Sequence, residues 1–387
     1  MSQAKCLLAL GFDVRIVTGE VDFGRWESEL AGIRVESVGS RDWLDRLGGR
    51  ETWISRRLRR LSKVLSDVDV AIAHNYPMPR VLAHAETKAR KIWYCNEPYR
   101  EIHLETAHPT LAQRRQSGTI GNTMAEQHYM RMYRKQFESR FGIRHRYTAE
   151  GQRDLATAER FGLMCGNSGF ARELAMQTYG QRPCKVLYPI VRFPAPRAPR
   201  RGLDRSALRI LVHTRLVAEK NIDTVIRGFA LFVSSGRNRG QLHIVGEGPC
   251  RQALEHLAEE LRIGHMTRFH GFLSEAELDR LYDTCEVFTL LSIDEPFGMV
   301  FPEAAARGLI MVGPSHGGPL EILGQGEFGF VTDAFSPESL ADVYNQIASV
   351  TDQEVDRSRT AADQSCRQRF AESAIASQIV STYELDG

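Results

Sequence analysis

The stretch from Val287 to Gly308 reads VFTLLSIDEPFGMVFPEAAARG and decides the fold. Its first part, 287–293, is a largely apolar run of the kind a parallel sheet buries on both faces. Its last part, Glu303 to Gly308, is rich in small residues and predicts a helix. Pro296-Phe297-Gly298 marks the turn between them. Glu295 and Glu303 bracket that turn, with seven residues between them. A helix N-terminus presents unpaired N–H groups and a partial positive charge, which suits phosphate. Carboxylates beside such an end accept hydrogen bonds from sugar hydroxyls. The local chemistry is that of a phosphorylated ligand carrying a sugar. Two glutamates at this spacing also arise by chance, so the weight of the reading lies in their setting.

Outward from this stretch, short apolar strand candidates alternate with helical segments. They lie near 14–18, 34–38, 69–73, 91–95, 162–166 and 185–188, then 209–213, 242–245, 267–270, 286–290, 309–313 and 328–331. Such alternation predicts α/β architecture with parallel sheets. Between the two sets lies FPAPRAPRRGLDR, 193–205, proline-rich, basic and poor in apolar residues, which reads as a linker. A chain of 387 residues has room for two sizeable cores. The expected division is an N-terminal domain at 1–193, a linker at 194–206, a second domain at 207–370 and a final helical segment at 371–387.

The strand at 209–213 runs into Thr214-Arg215-Leu216-Val217-Ala218-Glu219-Lys220-Asn221. Arg215 and Lys220 can converge on a diphosphate, arginine as a planar fork and lysine as a point charge. The alternative for such common residues is a solvated turn. Gly246-Glu247-Gly248 follows the next strand, and its glycines permit either a plain turn or close approach to a ligand. His270 ends a later strand and suits a structural hydrogen bond. Ser274 and Glu277 form a capping-box pattern at the start of an ordinary helix.

The two-glutamate segment resembles the Glu-x7-Glu signature of GT-B retaining glycosyltransferases, especially glycosyltransferase family 4. The match continues through Gly313 and Gly317-Gly318-Pro319-Leu320-Glu321, and 214–220 is similar to that family's Arg-Leu-x-x-x-Lys element. The resemblance implies two doubly wound Rossmann-like domains facing across a cleft, with ligands beyond the carboxyl ends of the strands. It implies a nucleoside diphosphate sugar as donor. Arg215 and Lys220 then neutralise the leaving diphosphate, Glu303 holds the ribose and Glu295 meets the sugar. Gly246, Gly248, Phe297, Gly298 and Met299 complete the expected donor contacts. No Asp-x-Asp pair stands at a strand end of the second half. The expectation is therefore no cofactor and no metal, with charge stabilised by the basic pair and helix dipole.

The first half is less explicit. His74 and Asn96 each follow a strand and overlook the expected cleft. In the family a histidine after the second of these strands contacts the transferred sugar. This chain has Asn96 there, and His74 is the substitute candidate. Asn167-Ser168 is similar to a family pair at the interdomain face and also suits an N-cap. Family 4 chains open with a strand and a glycine-rich loop, whereas AKCLLALGFDVRIVTG is similar to the end of the first helix and the second strand. The expectation is that the first strand and its loop are missing. The final helix crosses back onto the first domain in this fold.

Composition bounds the remaining possibilities. Apolar residues make up 42% and charged residues 25%, ordinary for a globular chain, and a net charge of +2 gives no case for nucleic acid. The seven cysteines are scattered without a CxxC pair, which reads as buried reduced thiols in a cytoplasmic protein rather than a zinc site. No apolar run approaches the roughly 20 residues needed to span a bilayer, and no signal peptide is evident. Residues 53–65, WISRRLRRLSKVL, carry an apolar stripe flanked by arginines. Such a helix packs on a core or lies on an anionic membrane, giving peripheral attachment at the inner face. The expected reaction is retaining sugar transfer to a glycan or lipid-linked acceptor in surface polysaccharide, lipopolysaccharide or glycolipid assembly. The competing readings are a GT-B epimerase or phosphorylase, or an inactive nucleotide-sugar-binding protein.

Overall fold

The computed structural model describes residues 2–18, 32–37, 58, 60–74, 76–139, 141–195, 202–204, 207–234 and 239–385. Part of the 193–205 stretch and most of 53–59, including Arg56, Arg57 and Arg59, lie outside the described residues. The chain groups into two compact units. The first comprises Met1–His103, His145–Ile190 and Glu372–Gly387, and the second Leu104–Arg144 and Val191–Ala371. A boundary drawn at 193 had put 104–144 in the first unit, and the structure groups it with the second.

The first unit opens with helix α1 (Ser2–Ala9) and strands β1 (Arg15–Thr18) and β2 (Arg34–Ser37), which form a two-stranded parallel sheet. Strands β3 (Val70–His74), β4 (Arg90–Cys95), β5 (Leu163–Gly166) and β6 (Cys184–Val186) follow in that spatial order, all parallel. Helix α2 (Met78–His84) connects β3 to β4, and most of α6 (Phe141–Ala158) and all of α7 (Gly169–Tyr179) belong here. The last helix, α15 (Glu372–Tyr383), buries Ile375, Ile379 and Tyr383 against Cys6, Leu7, Ile92, Tyr94 and Leu163. Residues 60–64 are helical, and Leu61 and Leu65 are buried in the core with Leu58 packed on them, while Arg60 and Lys63 are exposed. Leu58, Leu61 and Leu65 of the stripe are therefore used by the core, and Ile54 lies outside the described residues. Among the described residues no helix is long and apolar enough to cross a membrane.

The second unit takes in three helices from the middle of the chain: α3 (Leu104–Ala107), α4 (Pro109–Gln116) and α5 (Met124–Tyr133). Its six strands are β7 (Leu208–His213), β8 (Gly240–Val245), β9 (Thr267–Gly271), β10 (Val287–Thr289), β11 (Ile310–Pro314) and β12 (Phe330–Thr332). They are parallel throughout, in the order β9-β8-β7-β10-β11-β12. Counted from β7, this is the 3-2-1-4-5-6 order of a dinucleotide-binding sheet, whose connections reverse between β7 and β10. Helices α8 (Ile222–Ser234), α9 (Arg251–Glu260), α10 (Glu275–Thr284), α11 (Val300–Ala306), α12 (Gly318–Ile322), α13 (Pro337–Ser349) and α14 (Asp352–Phe370) complete the unit. β10 and β11 are buried along their whole length, as a central parallel strand must be. Among the described residues, each of the twelve strands lies within two residues of its predicted ends.

Helix α11 reaches its place through Phe301, which is fully buried and meets Phe288 of β10 edge-to-face at 5.3 Å. Phe301→Ala should cost about 3–5 kcal/mol by leaving a cavity at this junction. Denaturant unfolding with a loss under about 1 kcal/mol would contradict the packing.

Candidate active site

The parting of β7 and β10 brings together two loops that lie far apart in sequence. After β7, Arg215 is exposed, and Lys220 closes a single 3-10 turn, Ala218–Lys220. Asn221 then takes a left-handed backbone, φ 54°, and is wholly buried. Its side-chain amide donates to the Ala334 carbonyl at 2.6 Å, and Thr224 Oγ1 donates to its Oδ1 at 3.0 Å. These bonds fix the backbone that carries Lys220. After β10 the chain stays buried to Asp294, which is also left-handed at φ 50°, and then releases Glu295. The Ile293 N–H donates to the Glu219 carbonyl at 2.9 Å, joining the two loops.

The result is an ion pair between Lys220 Nζ and Glu295 Oε2, with the two side chains 19% and 18% exposed. The sequence assigned these residues to different parts of a ligand. The structure makes them partners of each other.

A third loop, after β11, closes on Glu295 from the other side. Gly318 N–H donates to the Glu295 carbonyl at 2.8 Å. A Cβ on Gly317, which has φ 78°, would stand 2.9 Å from the same oxygen, and one on Gly318 would overlap the Pro296 carbonyl. The loop after β8 is held in the same way. A Cβ on Gly246 would overlap the Thr214 carbonyl, and one on Gly248 the Leu216 carbonyl. Both glycines are therefore required by loop-on-loop packing against the Arg215 segment.

Glu303 lies in the first turn of α11, half-buried. Burial raises its carboxyl above the ordinary value, and the nearby Arg307 partly offsets this. Arg307 pairs with Asp279 at 2.7 Å and sits 4.7 Å over the ring of Tyr282, whose hydroxyl meets His213 Nδ1 at 3.1 Å. Burial, aided by Arg307, lowers the basicity of His213. Glu303 thus belongs to a partly buried cluster beneath the end of β7.

Other expected site residues fall differently. Phe297, expected among the donor contacts, is buried and packs edge-on to Phe370 at 5.1 Å, so its ring serves the core. Gly298, at φ 90°, turns the chain into α11, and Met299 is 38% exposed. His74 and Asn96 lie in the first unit, at the carboxyl ends of β3 and β4. His74 is exposed with its ring 4.9 Å from that of Tyr94, and Asn96 Oδ1 accepts from Asn167 Nδ2 at 3.2 Å. Ser168 caps α7 by accepting the Ala171 N–H. His270 shares a 3.0 Å hydrogen bond with His243, a structural role. All seven cysteines are free, with Cys184 and Cys250 the two that are only half-buried. Among the described residues no group of three or more His, Cys, Asp or Glu side chains is arranged to hold a metal.

Sequence reasoning passed over Asn221 and Asp294, both buried and left-handed beside a ligand candidate. The signal was available in their immediate neighbours, Lys220 and Glu295. It also passed over α4 and α5, whose contacts with these loops no local pattern encodes.

Residues 199–364 match the family model for glycosyl transferases group 1. An uncharacterized glycosyltransferase of Methanocaldococcus jannaschii is 34% identical over 140 residues, 36% of this chain and 35% of that protein. The D-inositol 3-phosphate glycosyltransferase of Corynebacterium glutamicum is 29% identical over 193 residues, 46% of each. The chain thus spans 35% and 46% of the length of these relatives. Among solved structures, Anabaena HepE in complex with UDP-glucose superposes with a TM-score of 0.70 at 17% identity, covering 99% of this chain and 95% of that one. That likeness concerns the fold, which is the GT-B fold of two Rossmann-like domains. Over 199–364 the chain is thus similar to glycosyl transferases group 1, and its likeness to solved glycosyltransferases is one of fold.

Proposed function

We propose that the chain is a retaining glycosyltransferase of family 4 type, moving a hexose from a nucleoside diphosphate sugar to a glycan or lipid-linked hydroxyl. The observation that carries this reading is the Lys220–Glu295 ion pair at the switch point of the second unit's sheet. A cation and a carboxylate held side by side there match the two ends of a sugar diphosphate. Lys220 and Arg215 take the diphosphate, Glu295 turns to the sugar hydroxyls, and Glu303 takes the ribose. HepE is a structural neighbour solved with UDP-glucose, which makes a uridine nucleotide the first to test.

In the transfer, the bond from the sugar's anomeric carbon to the diphosphate oxygen breaks and a bond to the acceptor oxygen forms on the same face. The acceptor proton passes to an oxygen of the departing diphosphate. No covalent nucleophile is required of the protein. Lys220 and Arg215 act where negative charge grows, and a fixed cation there lowers the barrier more than it favours the ground state. His74 and Asn96 are the first unit's candidates for contact with the sugar. The basic pair supplies the charge stabilisation that a divalent cation gives elsewhere, so transfer should survive EDTA. Loss of transfer in EDTA with rescue by magnesium or manganese would contradict this.

Lys220→Ala and Arg215→Ala should each weaken UDP binding by about tenfold or more, the worth of a charged hydrogen bond. Lys220→Ala should be the more damaging, because it also leaves Glu295 unpaired beside the phosphates. Calorimetry with unchanged affinity in both variants would remove the assignment.

Glu295 and Glu303 should respond differently to amide substitution. Glu295→Gln releases Lys220, so affinity for bare UDP should hold or rise while turnover falls. Glu303→Gln should weaken UDP and the sugar nucleotide together. The Glu303 carboxyl has a raised pKa, so the folded chain holds its proton more tightly than the unfolded chain. That contribution is complete at low pH and is lost as pH rises through the folded value. Ligand-free Glu303→Gln should therefore melt above wild type at neutral pH, with the gap closing as pH falls through the raised folded value and gone once pH is below the ordinary carboxyl value of 4.5. A gap that does not change with pH would exclude the buried-carboxylate account.

A further inference from the structure

Helices α4 and α5 meet the two donor loops at residues adjacent to Lys220 and Glu295. Asp294 is completely buried, and its Oδ1 accepts from Thr110 Oγ1 at 2.6 Å and from the Thr110 N–H at 3.4 Å. Thr110 is the second residue of α4, a helix whose own N-cap, His108, makes no side-chain cap bond. Asp294 thus supplies, from 184 positions away, a carboxylate to a helix end that lacks one. The next helix repeats the device. The first N–H of α5, on Met124, donates at 2.9 Å to Oδ2 of Asp223, a buried residue in the first turn of α8. Further along α5, His128 Nε2 lies 3.3 Å from Glu219 Oε1, the residue before Lys220. The two helices are themselves tied by Arg114 Nε to Glu126 Oε1 at 3.0 Å.

Resting on the donor-site reading above, we propose that α4 and α5 form a positioning clamp for the donor loops, in which Thr110 acts through Asp294 to set the direction of Glu295. Asp294 has φ 50°, a backbone region that L-residues other than asparagine and aspartate seldom occupy. Holding its carboxylate at a helix end retains that turn. The direction in which Glu295 leaves the turn follows from it. A small displacement of a group that orients substrate reduces turnover steeply without altering the rest of the site. Thr110 is a positioning residue in this scheme and touches neither donor nor acceptor.

The test uses the whole chain and whichever of UDP-glucose, GDP-mannose and ADP-glucose the wild type turns over fastest. Thr110→Val keeps the branched shape and removes the hydroxyl, and Thr110→Ser restores the hydroxyl. Thr110→Val should lower kcat about tenfold, the scale of one charged hydrogen bond, and leave affinity for the bare diphosphate within about twofold. Thr110→Ser should recover wild-type turnover. In a Glu295→Gln background Thr110→Val should cost nothing further, because both act through one group. Amide exchange over 293–299 should rise in Thr110→Val and return to normal in Thr110→Ser. Thr110→Ala, read the same way, serves if valine is not accommodated. Additive losses with Glu295→Gln, equal losses in diphosphate affinity and kcat, or no rescue by serine would overturn the proposal. Unchanged exchange over 293–299 would overturn the anchor itself, whatever the activity. A wild type that turns over none of the three donors while exchange still responds to Thr110 would sink the donor-site reading and the positioning role with it, leaving only a structural bond.

Discussion

The ion pair between Lys220 and Glu295 is the contact on which the second unit's site depends. Parallel order forces the loops after β7 and β10 to part, and the space between them is where a ligand can enter. Charges left alone in such a partly enclosed place are costly, and each supplies the other's counter-ion. On the proposed reading, a sugar diphosphate entering here would exchange one partner for another and need not desolvate a bare lysine. The same exchange would give specificity. A ligand bringing phosphate without a hydroxyl-rich group would take Lys220 and leave Glu295 unmatched, and leaving a buried acceptor unpaired is penalised more heavily than making the bond is rewarded.

The loops can meet because glycine stands where they cross. Gly246 and Gly248 lie on the backbone of Thr214 and Leu216, and Gly317 and Gly318 on that of Glu295 and Pro296. These four positions bring the loops after β8 and β11 onto the Arg215 and Glu295 segments. Their rigidity follows from backbone hydrogen bonds at each crossing, such as Leu216 N–H to the Glu247 carbonyl at 2.9 Å and Gly318 N–H to that of Glu295 at 2.8 Å. A site built in this way is preorganised, and small side chains are a condition of it.

Much of this was legible in the chain because apolar runs of strand length, separated by helices, leave few alternatives to parallel α/β layers. Lys220 and Glu295 could be placed beyond strand ends because each follows such a run, and Glu303 at a helix start because small residues follow it. What could not be read was which way a side chain turns after its strand. Phe297 stands two places from Glu295 yet turns inward to Phe370. The stripe through Leu58, Leu61 and Leu65 has the same spacing whether a core or a membrane receives it, and here the core does. The helices of 104–144 were invisible for a different reason. α4 is mostly polar, with Leu111 and Ala112 its only buried residues, and its tie to the loop after β10 is one carboxylate from 184 positions away. No periodicity within α4 records that bond.

The two glutamates that first distinguished the sequence have separate physical situations. Glu295 is neutralised by a lysine at the surface of the switch point. Glu303 is held in the cluster of Arg307, Tyr282 and His213, where Arg307's guanidinium is already engaged by Asp279 and its influence on Glu303 only partly offsets burial. One carboxylate is thus matched by a lysine, and the other carries a burial penalty that Arg307 relieves only in part. On the proposed reading, ribose hydroxyls donating to Glu303 would relieve the rest. Structural carboxylates in this chain show the opposite arrangement. Glu126, buried in the capping box of α5, accepts from Arg114 and the N–H groups of Gly121 and Thr123, and needs nothing further. Glu126 is the deeper of the two and satisfied, whereas half-buried Glu303 has its burial only partly offset, and on the proposed reading that contrast is the physical reason to place a ligand at the second and not the first.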